Sequence, residues 1–74
     1  MITVYSKPAC PKCQAVKHWL DKAKLPYDTV DVSTDPEALA YLTSLGYASV
    51  PVVAAGDEHF SGVHPDRISA LARL

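Results

Sequence analysis

The stretch that most constrains this chain is Ser6-Lys7-Pro8-Ala9-Cys10-Pro11-Lys12-Cys13. It holds both cysteines of the sequence, with two residues between them, and it lies between two runs of different period. Before it, Ile2-Thr3-Val4-Tyr5 alternates and is rich in β-branched and aromatic side chains, as a strand over residues 2–6 would be. After it, Ala15, Val16, Trp19, Leu20 and Ala23 recur on one helical face, with Gln14, Lys17, His18, Asp21 and Lys22 largely on the other. The two thiols therefore sit where a strand ends and a helix running from Pro11 to about Lys24 begins. On this reading Trp19 belongs to the core and His18 to the solvated face.

A helix start is an electropositive place. Its first N–H groups lack intrahelical partners, and the macrodipole puts partial positive charge there. A cysteine so placed, or in a Cys-x-x-Cys motif, has its pKa lowered from about 8.5 to between roughly 3.5 and 7.5. Cys10 takes the N-cap-like position, with its sulfur facing the open N–H groups and solvent. Pro11 follows where its missing N–H costs nothing and its φ is already helical. Cys13 lies one turn on, on the same side and within disulfide reach. Lys7 and Lys12 add positive charge. Cys10 is thus read as the exposed attacking thiolate and Cys13 as the less exposed resolving thiol.

Other uses of the pair compete with this one. A structural staple gains little, because a two-residue gap closes almost no loop. A structural zinc site needs four ligands, and no second cysteine pair exists. His59 and His64 have a ligand-like spacing, but they flank a short strand and turn with no obvious partner. A Cu(I) carrier presenting two thiolates after a first strand is the remaining metal reading.

The whole chain sets the frame. Seventy-four residues make one domain, 1–74, and a chain of that size buries only about 60% of its unfolded surface. The composition is 49% hydrophobic and 20% charged, with net charge −1, which argues against nucleic acid or a membrane surface as the main partner. No charged-then-apolar leader pattern opens the sequence and no apolar run is long enough to span a bilayer. The expectation is a cytoplasmic monomer, in a compartment where disulfides are usually catalytic.

Downstream, Pro26 stops the first helix, and Tyr27 to Val32 alternates as a second strand. A strand-helix-strand order within about thirty residues implies a parallel pair with a right-handed crossover. Asp35 before Pro36 fits an N-cap, and Thr34 with Glu37 fits a capping box one residue earlier. The helix they open carries Ala38, Leu39, Leu42 and Leu45 inward and stops at Gly46. Val52 to Ala55 is apolar enough for a buried strand, with Pro51 at its entrance because proline cannot donate to a ladder. Gly56-Asp57 turns the chain into Glu58-His59-Phe60-Ser61, an antiparallel hairpin ended by Gly62. Pro65 and Asp66 open a last helix with Ile68, Leu71 and Leu74 inward. The order is β-α-β-α-β-β-α, an α/β domain with a four-stranded mixed sheet and helices on both faces.

These residues carry a resemblance that covers nearly the whole chain. A strand, Cys-Pro-x-Cys at the helix start, Val50-Pro51 before the third strand, and a hairpin ending in Gly62 resemble the thioredoxin fold in its small glutaredoxin form. Thr3 to Cys10, Leu45-Gly46-Tyr47 leading to Pro51-Val52-Val53, and His59 to Ile68 are similar to the NrdH-type redoxins. The resemblance implies a small electron carrier that is reduced by thioredoxin reductase using NADPH and in turn reduces ribonucleotide reductase. It also implies a cis Pro51 beside the disulfide, a Val50 backbone that receives a docked substrate strand, and Ser61-Gly62 bordering the same groove. No bound metal or organic cofactor is implied, and the potential falls between about −200 and about −270 mV, the glutaredoxin-to-thioredoxin range. The sequence departs from the redoxin pattern in three places. Lys12 stands where these redoxins carry Gln, and Pro11 is glutaredoxin-like. Val63 and His64 replace Phe and Arg, which weakens the hydrogen-bonded surface of that loop. Glutathione-binding glutaredoxins carry an aromatic where Lys12 stands and a Gly-Gly pair where this chain has Ser61-Gly62; Lys7 still offers a charge for a glutathione carboxylate.

Overall fold

The computed structural model describes residues 1–73. Four strands and three helices follow the expected order: β1 (Ile2–Ser6), α1 (Pro11–Lys22), β2 (Asp28–Asp31), α2 (Pro36–Ser44), β3 (Val52–Ala55), β4 (Glu58–Ser61) and α3 (Pro65–Leu71). The sheet order is β2-β1-β3-β4. β1 runs parallel to β2 and antiparallel to β3, and β4 is antiparallel to β3, so the sheet is mixed. This is the thioredoxin-like α/β fold. Among the described residues no helix is long and apolar enough to cross a membrane.

Alternation along the strands splits the apolar residues between two layers. Ile2 and Val4 of β1, Val53 of β3 and Phe60 of β4 share one face, where they meet Val16 and Leu20 of α1 and Ile68 of α3. The other face carries Val52 with Val32 and Leu42 of α2, and Tyr5, Ala38, Tyr47 and Val50 pack around them. Helices therefore cover both faces, as the sequence implies. Arg67 of α3 lies over the Phe60 ring at 4.6 Å and reaches Glu58 of β4 at 3.9 Å, tying the last helix to the edge strand.

The helix ends correct the reading from periodicity. α1 stops at Lys22, not Lys24, because Lys24 turns into the left-handed region at φ 60°. Its N–H then bonds to Asp21 O and that of Leu25 to Leu20 O, both at 3.0 Å, which satisfies the last carbonyls two residues ahead of Pro26. α2 is capped by Asp35, whose carboxylate accepts from the Ala38 N–H at 3.1 Å. Thr34 makes no capping box, since its hydroxyl donates to Asp31 O at 3.3 Å. At the other end Gly46, at φ 92°, lets Tyr47 N–H reach Leu42 O at 3.0 Å.

Burial brings further corrections. Leu39 is 51% exposed rather than inward, because Ala38 and Leu42 are the α2 positions that meet the sheet. Trp19 is half-buried at the margin of the core, with the Lys22 ammonium 5.4 Å over its ring. β2 is confined to Asp28–Asp31; Val32 is buried beyond its end, with its N–H bonded to Ser6 O at 2.9 Å. Leu71 packs against the core, and Leu74 lies outside the described residues.

Candidate active site

The site begins where β1 delivers the chain into α1. Ala9 takes φ 54°, a left-handed value that turns the backbone so that Cys10 becomes the N-cap with an extended conformation. Such a φ costs a non-glycine residue roughly 1–2 kcal/mol, and nothing in the sequence marks it, since Gly or Asn would be the usual sign. Pro11 fills the first helical position.

Cys10 and Cys13 are joined as a disulfide, with Cα atoms 5.2 Å apart. The Cys10 sulfur accepts a hydrogen bond from the Cys13 backbone N–H at 3.1 Å. One of the orphan donors of the helix start is thus spent on the sulfur itself. Cys10 is 7% exposed and Cys13 1%. The order of accessibility is as expected, but Cys10 is less open than the sequence suggests. Among the described residues no group of three His, Cys, Asp or Glu side chains gathers as a metal-binding set. A structural zinc site would have to find its other two ligands elsewhere.

A family model described as glutaredoxin matches residues 2–60. The chain belongs to the glutaredoxin family. This glutaredoxin is 35% identical to the glutaredoxin-like protein NrdH of Lactococcus lactis subsp. lactis, over 97% of its own length and 100% of that protein. It is 36% identical to the glutaredoxin-like protein NrdH of Escherichia coli, covering 95% of this chain and 86% of that one. Its structure superposes on that of the E. coli NrdH-redoxin with a TM-score of 0.91, covering 95% and 92% of the two chains. The family and the cysteine pair together make it a thiol-disulfide oxidoreductase.

The remaining predicted site residues of this glutaredoxin separate into two groups. Val50-Pro51 is a cis peptide, and Pro51 is buried at the entrance to β3. The Pro51 carbonyl accepts from Gly62 N–H at 3.0 Å, so Ser61-Gly62 and Val50-Pro51 are held side by side. Lys7, exposed, lines a groove of about 250 Å³ with Val32, Leu39, Leu42, Tyr47 and Val50. Lys12, exposed on the first turn of α1, does not line that groove, and neither do Ser61 and Gly62.

Two histidines that the sequence leaves without partners have them. His64 Nε2 bonds to Ser61 O at 2.8 Å and its ring meets Phe60 edge-on, so the loop after β4 keeps a side-chain hydrogen bond although His replaces Arg. His59 lies within β4, the strand read over Glu58–Ser61, and its Nδ1 bonds to the Tyr47 hydroxyl. Neither contact has a sequence signal. Both depend on strand register and on the path of loops that periodicity does not describe.

Proposed function

We propose that the protein is a single-domain, monomeric, cytoplasmic electron carrier that works by dithiol exchange. The Cys10 thiolate attacks one sulfur of a substrate disulfide. A bond forms between them, and the other substrate sulfur leaves as a thiolate that takes up a proton. The Cys13 thiolate then attacks Cys10 and expels the second substrate sulfur, leaving the Cys10–Cys13 disulfide and a dithiol product. Two electrons pass to the substrate. The redox-active pair is the only prosthetic chemistry required, and NADPH enters only through a reductase.

The observation that carries this reading is the Cys10 sulfur seated on the Cys13 N–H at the start of α1, with Cys13 more deeply buried. Pro11 preserves that seat, and Lys7 and Lys12 favour the anion. Pro51 shields the pair, while Val50, Ser61 and Gly62 receive a partner segment in extended form. Likeness to NrdH proteins supports thioredoxin reductase as the reductant and ribonucleotide reductase as the target, and the E. coli NrdH-redoxin has a thioredoxin-like activity profile.

A second reading, with glutathione as reductant, draws on Lys7, which lines the groove shared with Val50. One assay separates the two. NADPH is supplied with thioredoxin reductase, or with glutathione and its reductase, and NADPH consumption is followed against the oxidised protein. Turnover with thioredoxin reductase is the expected result; turnover with the glutathione system alone would move the protein to the second reading.

A further inference from the structure

The segment that follows α2 is tied to β4 at both of its ends. At the Pro51 end, Gly62 N–H holds the carbonyl at 3.0 Å. At the Tyr47 end, the phenol hydroxyl meets Nδ1 of His59, with the two rings edge to face at 5.4 Å between centroids. Among the described residues, the N–H groups of Ala48, Ser49 and Val50 make no backbone hydrogen bond. Ala48 and Ser49 are exposed and Val50 is half-buried. Of this three-residue bridge only Val50 is anchored, by its packing against Val32, Leu42 and Val52.

We propose that His59 is a positioning residue for this bridge. It holds the Tyr47 ring, which packs with Val50 on Val32, Leu42 and Val52, and through that ring sets the height of Val50 above the sheet. The inference rests on the proposed function, in which the Val50 backbone receives the partner's extended segment. His59 touches neither sulfur; its effect is on docking. An imidazole serves because His59, paired with Ala54 on β3, places its Nδ1 where the phenol arrives from the segment after α2. The ring accepts from the phenol O–H when Nδ1 is bare and donates to its oxygen when Nδ1 carries the proton.

The test compares the full-length protein with His59→Leu, His59→Asn and Tyr47→Phe. Leu removes the polar atom, whereas the Asn amide places one where Nδ1 stands. Each reduced protein is assayed against a small aromatic disulfide, which needs no docking, and against insulin, a protein disulfide. The expected result for His59→Leu is a KM for insulin raised roughly threefold to tenfold, the weight of one side-chain hydrogen bond, with kcat and the small-disulfide rate unchanged. His59→Asn should restore KM. Adding His59→Leu to Tyr47→Phe should cost nothing more, because both remove the same contact. Equal KM values for wild type and His59→Leu, or an equal loss on both substrates, would overturn the positioning role alone. A wild-type protein that reduces the small disulfide but not insulin would overturn the docking reading and the positioning role with it.

Discussion

The backbone N–H of Cys13 donates to the sulfur of Cys10 at 3.1 Å, so the atom that caps α1 is also the atom that carries the chemistry. A hydrogen bond to an ionised acceptor is about twice as strong as one to a neutral acceptor. Reduction to a Cys10 thiolate therefore strengthens the cap, and the helix start favours the reactive form. The second thiol is on the same turn, and its own N–H supplies the stabilising bond.

The burial order of the two sulfurs predicts which one a substrate meets first. Reduced Cys13→Ser should accumulate a mixed disulfide at Cys10 when given a disulfide partner, because the resolving step is gone. Reduced Cys10→Ser should accumulate none at Cys13, which is 1% exposed. Intact-mass measurement after alkylation reads both. Adducts forming equally fast on the two variants would contradict the assignment.

The two layers of the core predict unequal costs for two leucines. Leu20 is wholly buried beneath the sheet among Val4, Val16 and Ile68, so Leu20→Ala should cost about 2–5 kcal/mol in urea unfolding. Leu39 is 51% exposed, so Leu39→Ala should stay within about 0.5 kcal/mol. A reversed order would mean that α2 is rotated relative to the sheet.

Alkaline pH should weaken the fold through two tyrosines. Burial, then the neighbouring Tyr41 and Asp35, raise the Tyr5 phenol above its ordinary value of 10.0. Burial, then the charge of Asp21 and a hydrogen bond to it, raise Tyr27 likewise. In each case the folded state holds a proton that the unfolded chain gives up near pH 10. Their contribution is therefore fully present below that pH and is lost as pH rises through the folded values. Urea midpoints measured from pH 9 upward should fall, and the fall should be shallower in Tyr5→Phe and Tyr27→Phe. A midpoint that is flat above pH 10 would contradict the sign.

The legible parts of this protein were those set by local chemistry. The element order followed from two changes of hydrophobic period and from proline and glycine punctuation at Pro26, Pro36, Gly46 and Gly62. The cysteine pair is legible at the helix start because that position needs only a strand before it and a proline after the first thiol. The direction of α2 was harder. In the nine residues of α2 and its cap, Ala38, Leu39, Leu42 and the cap residue Leu45 make more than one apolar stripe, and only the packing of Val52 and Val32 against Leu42 decides between them. How far Cys10 is covered and what His59 and His64 touch depend on tertiary approach of loops distant in sequence. The positive φ of Ala9 carries no sequence mark, since Gly or Asn would be the usual sign.

The most direct test of the account is titration of the fully reduced protein, following thiolate absorbance near 240 nm from pH 3 to pH 10, with Cys13→Ser used to isolate Cys10. The account predicts that Cys10 ionises with a midpoint below about 7.5, the upper end of the range for thiols at helix starts. A midpoint at or above about 8.5, the value of a free cysteine, would contradict it.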